Sequence, residues 1–409
     1  MKKLLRIILP VILILLFTIC NDFLLNSYEK ASLKFSSNAL YNTKTVDANA
    51  LFNKTWQTIK NDYYDTTYNN QNWTYWKKRY DGKIKSEDDA KVAIDSMVAS
   101  LDEPYTRFMP QKDYNDLVTS ITAKIYGIGV NIYSNAGKIE VFNVLPSTPA
   151  EAAGIKQGDI IISINKKNTN GMNISEVASL VRGAEGTTVE ITLLRNGKYI
   201  TKKIVRKEIK IKNVKSSILD NHIGYIQIIS FMGNTTTEEF LEALNKLKNT
   251  DSTIIDLRGN TGGLLDNAVF IANMFMDKGN IVEIIYKNGN KKTIKAKSQI
   301  NGNNKPVVVL VNGASASASE ILSGALQDSK RAILVGKKTF GKGLVQKVVP
   351  LPNSTGINVT IAKYLTPKGR DINKLGIKPD IEIGSNYDVY LKQNKDIQLI
   401  KAKELLSKK

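Results

Sequence analysis

Between Gly224 and Ile383 short apolar runs alternate with amphipathic ones, and glycine-rich junctions mark the changeovers. Strand runs are read at Tyr225–Ile229, Thr253–Leu257, Ile281–Tyr286, Pro306–Val311 and Ala332–Val335, with helical patterns near 236–248, 264–276 and 318–327. Further strands follow at Leu344–Val349 and Ile357–Ala362. Continuous apolar runs of strand length are those of strands covered on both faces, so this alternation specifies an open α/β sheet with helices packed on it. Open sheets of this kind place their chemistry at strand ends. Three junctions fall there: Asp256-Leu257-Arg258-Gly259-Asn260-Thr261-Gly262-Gly263, Asn312-Gly313-Ala314-Ser315-Ala316-Ser317-Ala318-Ser319-Glu320, and Gly336-Lys337-Lys338-Thr339-Phe340-Gly341-Lys342-Gly343.

The chain before this core divides into three parts. Lys2, Lys3 and Arg6 precede an apolar run from Ile7 to Cys20, extended by Phe23-Leu24-Leu25 toward the length of a membrane span. No small-x-small site follows it, so an uncleaved signal anchor is expected over residues 1–25, with a cleaved peptide as the alternative. Positive charge ahead of the span puts the rest of the chain outside. An Asn/Ser-rich linker is expected over 26–45, then a helical region over 46–119 in which Trp73, Trp76 and Tyr80 are packing residues. From 120 to 210 the pattern becomes β-rich, with strands at Ile139–Val144, Asp159–Asn165 and Val189–Leu194 and helices at Pro149–Gly154 and Ile174–Val181. Near its start, Gly127, Ile128, Gly129 and Val130 form either a plain turn or a nest of backbone N–H groups beside an open strand edge. Such a nest would hold a peptide's terminal carboxylate. The order of loop, strand, Ala-Glu-Ala-Ala-Gly helix, Gly158-Asp159 strand and late helix resembles a circularly permuted PDZ domain.

Two scarcities exclude whole classes of chemistry. One cysteine, Cys20, permits neither an internal disulfide nor a cysteine-rich metal site. One histidine, His222, rules out a histidine zinc cage, and its polar setting is that of a turn residue. No metal or other cofactor is expected. The net charge of +20 comes from lysines spread along the chain, which reads as a solvated surface. No nucleic-acid motif accompanies it.

Ser317-x-x-Glu320 ahead of an apolar helix is a capping box, and serines so placed are usually caps. Small neighbours nonetheless leave this backbone open, and the Ala318 N–H at the helix head would face an oxyanion formed on Ser317. With no histidine to serve it, the serine needs a lysine base. Lys342, between two glycines in an apolar setting, is the candidate. Gly336-x-x-x-x-Gly341-Lys342 also approaches a phosphate-binding P-loop with Asp256 as its metal partner. Gly343 stands where that motif has Ser or Thr, however, and a strand follows instead of a helix.

The run Ser315-Ala316-Ser317-Ala318-Ser319-Glu320 with Thr339-Phe340-Gly341-Lys342-Gly343-Leu344-Val345-Gln346 resembles the carboxyl-terminal processing (tail-specific) serine proteases. Asp256-Leu257-Arg258…Gly262-Gly263, Arg182-Gly183…Gly186-Thr187, Leu101…Pro104-Tyr105-Thr106-Arg107-Phe108 and Leu365-Thr366-Pro367-Lys368-Gly369-Arg370 are similar to that family as well, so the likeness runs from about residue 50 to 383. Ala314 departs from it, standing where many members have glycine. The resemblance implies a serine endopeptidase that cleaves extracytoplasmic proteins near their C-termini. Ser317 would be the nucleophile, Lys342 the base, and Gln346 the residue that orients the lysine. Ala318 and one of Gly262 and Gly263, with Gly263 preferred, would form the oxyanion hole. It further implies a ClpP/crotonase-like α/β core over 211–385 and a PDZ domain over 120–210 that binds substrate C-termini. A basic C-terminal helix would occupy 386–409. Protein substrates are the expected partners, with the cell membrane through the anchor and a homo-oligomer through the N-terminal helices; nucleic acid is not. A non-catalytic peptide-binding scaffold and a P-loop nucleotide hydrolase are the competing readings.

Overall fold

The computed structural model describes residues 47–122, 125–135, 137–209, 212–220, 222–297, 304–384 and 395–407. The expected signal anchor and linker lie outside these residues. No helix among the described residues is long and apolar enough to cross a membrane. The chain forms two compact units.

The smaller unit contains most of the expected helical region together with Val348–Val359. Helix Glu87–Ala99 begins at a capping box: Ser86 Oγ accepts from the Asp89 N–H at 3.1 Å while Asp89 Oδ2 accepts from the Ser86 N–H at 3.0 Å. Leu51, Phe52, Ile59, Ala90, Ile94 and Met97 are buried. Trp56 and Trp73 each donate their indole N–H to the other's carbonyl, at 3.0 and 3.2 Å, so Trp73 is a packing residue. One element departs from the helical expectation. Arg107–Met109 is a strand, antiparallel to Asn358–Gly356. The helix ends at Ala99, Pro104 beyond it cannot resume one, and the Glu103 carboxylate accepts from the N–H groups of Tyr105 and Thr106 and from the Thr106 hydroxyl, turning the chain into an extended entry.

The larger unit contains the β-rich region and the α/β core. In the first, antiparallel strands run in the order Val130–Asn135, Lys138–Val144, Ile160–Ile164, Thr188–Arg195, Lys198–Val205. Ile139 and Val141, and Val189, Ile191 and Leu193, alternate onto one face and share a core with Ile161 and Ile164, which a register shift brings to the same side, and with Val177 and Val181 of helix Ile174–Val181. Val130–Asn135 is an edge of this sheet.

The α/β core carries a six-stranded sheet in the order Val214–Leu219, Ile223–Ile228, Ser252–Asp256, Val307–Val311, Ile333–Gly336, Ile381–Glu382. All neighbours are parallel except the first pair. Every residue of Ser252–Asp256 and of Val307–Val311 is buried, as expected of strands covered on both faces. Helices Thr236–Lys246, Leu265–Asn273 and Ala318–Asp328 contribute Phe240, Ile271, Leu322 and Leu326 to one core cluster. Ile254, Val308, Leu310 and Val335 belong to a second cluster, with Ala402 and Leu406 of helix Ile397–Ser407.

That last helix lies within the 386–409 range expected for a basic C-terminal helix. Residues 385–394 lie outside the described residues, and the helix starts at Ile397 because Asp396 Oδ1 accepts from the Leu399 N–H at 3.0 Å. It is also anchored. Arg258 donates to both Asp256 and Asp396, with Nη2–Oδ2 distances of 2.6 and 2.7 Å, and to Gln398 Oε1. His222 sits in a turn, its Nδ1 2.6 Å from the Asp220 carbonyl.

Candidate active site

Strand Val307–Val311 leaves the sheet through Asn312–Ala316 and enters helix Ala318–Asp328 at Ser317. Ser317 has φ 55° and ψ −115°, a conformation that non-glycine residues avoid on steric grounds. A sharp strand-to-helix turn of this sort lifts its central residue out of the backbone. The three serines of the run separate cleanly. Ser315 Oγ donates to the Leu257 carbonyl at 2.8 Å and Ser319 Oγ to the Asn260 carbonyl at 2.9 Å, and both residues are wholly buried. Ser317 alone of the three is partly exposed.

The Gly336–Gly343 junction folds onto this elbow through one buried carboxylate. Glu320 Oε2 accepts from the Ser317 N–H at 3.0 Å and from the Lys342 N–H at 2.8 Å. Its Oε1 accepts from the Gly341 N–H at 2.8 Å and the Thr339 hydroxyl at 2.6 Å. Burial pushes the Glu320 carboxyl above its ordinary range, against the opposing pull of these donors. On the carbonyl side, the Tyr364 hydroxyl lies 2.5 Å from Lys342 O and 3.1 Å from Ser317 O. Gly341, at φ 92°, passes so close to Gly376 that a Cβ would come within 2.9 Å of its nitrogen. Downstream, Gln346 stands on strand Leu344–Leu351 and donates Nε2–H to Thr360 Oγ1 at 3.3 Å. The P-loop reading fails here. The Gly341 and Lys342 amides that would cradle a phosphate bind Glu320, a strand follows, and Asp256 is held by Arg258 and by the Tyr225 hydroxyl at 2.8 Å.

The Asp256–Gly263 junction supplies the third side. A Cβ on Gly262 would come within 2.7 Å of Ala316 O and 2.8 Å of Ser317 Cβ, so this turn lies against the elbow and needs glycine, at φ 103°. The Gly262 N–H donates to Asn260 Oδ1 at 2.8 Å. Gly263 forms a bridge to Phe231 through the flanking groups: the Phe231 N–H donates to Gly262 O, and the Leu264 N–H to Phe231 O, each at 3.0 Å. Among the described residues, neither the Gly263 N–H nor the Ala318 N–H has a hydrogen-bond partner.

Gly127, Ile128 and Gly129 are buried at the start of the β-rich sheet, with Val130 opening the edge strand. Gly129 has φ 86°, and Thr148 occupies the space a Cβ would need. The loop's carbonyls are engaged, Ile128 O by the Ala150 N–H at 2.8 Å and Gly129 O by the Leu145 N–H at 2.9 Å. No partner for the Ile128 or Gly129 N–H is found among the described residues.

Residues 222–383 match the model of peptidase family S41, and residues 140–195 match that of a PDZ domain. A carboxyl-terminal-processing protease from Picosynechococcus sp. is 39% identical over 345 residues, covering 82% of this chain and 83% of that one. The chain belongs to the carboxyl-terminal-processing proteases of peptidase family S41. The carboxy-terminal processing protease CtpA of Bacillus subtilis is 40% identical over 336 residues, 81% of this chain and 68% of that one. Among solved structures, a photosystem II D1 C-terminal processing protease superposes with a TM-score of 0.57 at 31% identity, covering 83% of this chain and 94% of that one.

The family likeness stated on the Ser315–Glu320 and Thr339–Gln346 runs is thus established. Three residues that shape this protease's site were not singled out for it from sequence. Glu320 was legible only as half of a capping box, because its other partners lie 19 to 22 residues downstream. Asn260, wholly buried, donates to Ile228 O at 2.8 Å while its own carbonyl accepts from the Ala316 N–H and the Ser319 hydroxyl. Its position in a glycine-rich turn was the one available hint. Tyr364 had no signal, lying two residues past the strand expected at Ile357–Ala362. Among the described residues, no group of three or more His, Cys, Asp or Glu side chains could hold a metal ion.

Proposed function

We propose that this protease hydrolyses peptide bonds near substrate C-termini with Ser317 as nucleophile and Lys342 as general base. The observation that carries the reading is the strained Ser317 turn with two unengaged amides beside it, those of Ala318 and Gly263. In the first step the neutral Lys342 amine takes the Ser317 Oγ proton as Oγ attacks the scissile carbonyl carbon. The resulting oxyanion is received by the Ala318 and Gly263 N–H groups, whose fixed dipoles need no reorganisation. The Gly262 N–H, bound to Asn260, serves the turn itself. The Lys342 ammonium then protonates the departing amine, and the C–N bond breaks to leave an acyl-serine. Water, deprotonated by Lys342, attacks the ester and restores Ser317. Gln346, held through Nε2 on Thr360, offers its amide oxygen to orient the lysine.

A non-catalytic scaffold of the same fold would be marked by loss of Ser317, Lys342 or Gln346, and all three are present. The core is read as ClpP/crotonase-like. The apolar run before residue 26 is read as an anchor that leaves the catalytic unit on the extracytoplasmic face, with the N-terminal helices as a homo-oligomer contact.

Substrate choice follows from the PDZ domain in this reading. The Ile128 and Gly129 amides receive a terminal carboxylate, and the peptide adds to the edge strand Val130–Asn135, beside helix Ile174–Val181. Amidating a peptide C-terminus removes the charge and leaves the scissile bond untouched. Paired rates on one peptide as acid and as amide should differ severely, and deletion of residues 120–205 should erase the difference. Equal rates on the intact enzyme would mean that the glycine loop is a turn and that selection occurs in the protease core.

A further inference from the structure

Ser317 and Lys342 are 25 residues apart on different elements, yet the same two side chains join them on both sides of their peptide groups. Both N–H groups end on Glu320 Oε2. Both carbonyls lie within hydrogen-bond reach of the Tyr364 hydroxyl, whose single proton they share. We infer that Glu320 and Tyr364 are positioning residues that fix the nucleophile and the base relative to each other. The inference rests on the Ser317–Lys342 reading above and adds to it what sets the geometry of the pair.

A helix cap does not account for the arrangement. Capping helix Ala318–Asp328 calls for the Glu320 contact to the Ser317 N–H and nothing more. The bonds from Thr339, Gly341 and Lys342 tie down a separate loop, and each ends on an ionisable group that is wholly buried. Charge-assisted bonds of this kind are stronger than neutral ones and hold direction as well as distance. Tyr364 is 1% exposed and belongs to strand Thr355–Leu365, and its N–H donates to Gly343 O at 2.9 Å. The strand therefore grips the base loop at two successive residues, Lys342 and Gly343. A further link, from the Phe340 N–H to Ser315 O at 3.0 Å, joins the two loops without touching either reacting residue. A proton passes from Oγ to an amine only at hydrogen-bond distance, and small errors in such placement are expensive in rate.

Two variants test the clamp by separating kcat from KM. Glu320→Gln replaces one carboxylate oxygen with an NH2 donor, so two of the four donors lose their acceptor. Its kcat per folded molecule should fall about 10²-fold with KM within about twofold, since displacement of a reacting group by about 1 Å costs that much. Tyr364→Phe keeps the ring in the core and removes only the hydroxyl. Its kcat should fall about tenfold, the lesser part of that same misplacement cost, with KM and the melting temperature near those of the parent. Folded fraction is read by circular dichroism, and kcat and KM on a peptide with a free C-terminus. A role confined to folding predicts normal kcat per folded molecule in both variants, and that result overturns the clamp. Should Glu320→Gln fail to fold, Tyr364→Phe decides alone, and an unchanged kcat overturns it. Ser317→Ala and Lys342→Ala run alongside. If either cleaves at the parent rate, the Ser–Lys reading falls and the clamp falls with it. If both are inactive while the clamp variants are fully active, the pair stands and only the clamp is lost.

Discussion

Ser317→Ala should cleave no measurable peptide while keeping its fold. Loss of the attacking oxygen removes the covalent route altogether, and deletion of a serine nucleophile costs on the order of 10⁶-fold in turnover. The stability cost is small by comparison. Losing a serine at a helix N-cap costs about 0.5–2 kcal/mol. The Ser317 N–H that donates to Glu320 survives the substitution, and alanine tolerates φ 55° no worse than serine does. The neighbouring serines should behave in the opposite way. Ser315→Ala and Ser319→Ala each remove a buried hydrogen bond, to Leu257 O and Asn260 O, worth roughly 1 kcal/mol. They should lower the melting temperature and leave the nucleophile in place. Initial rates and thermal melts on the three variants settle the matter. More than about a tenth of the parent rate in Ser317→Ala, far above the residue that loss of a nucleophile leaves, would move the chemistry to one of the other two serines.

What the sequence made legible was set by burial. Val307–Val311, buried at every position, announced itself as an unbroken apolar run within a residue of its true ends, and Ser252–Asp256, equally buried, showed through Ile254 and Ile255 with Leu257 just beyond. Edge strands did not. Lys198–Val205 buries only Ile204, and Val214–Leu219 only Val214, so their lysines and serines gave no run to read. The same logic divides the site. Ser317 and Lys342 stood out because glycines and small residues cluster where a backbone must bend sharply or let another segment approach. Glu320, Asn260 and Tyr364 act across the junctions, joining segments that only the folded sheet brings together. Nothing in their own neighbourhoods records such partners. Arg258 carried a local trace in Asp256, two residues away, and its second partner Asp396 lies 138 residues on. The fastening of the C-terminal helix to the core therefore leaves no mark in the helix's own residues.

Lys342→Arg should be as inactive as Lys342→Ala. The base must give up its own proton before it can take one from Ser317, and a guanidinium does not do so in the range where proteins stay folded. Size and charge are nearly kept in the arginine variant, so a structural or phosphate-binding role for Lys342 predicts substantial activity there and little in the alanine. General-base catalysis predicts that the two fall together, by about 10²–10⁴-fold. The backbone supports a clean comparison. The Lys342 contacts to Glu320 and Tyr364 are made by its main-chain N–H and carbonyl, so neither substitution removes them. Only a neutral amine can accept the Ser317 proton, so a permanently charged side chain cannot replace it. His222 offers no alternative base, since it sits in a turn with Nδ1 at the Asp220 carbonyl. Rates of the three proteins on one peptide provide the measurement. A Lys342→Arg enzyme with more than about a tenth of the parent rate would remove Lys342 from the chemistry, because no rescue by a permanent cation is compatible with proton abstraction.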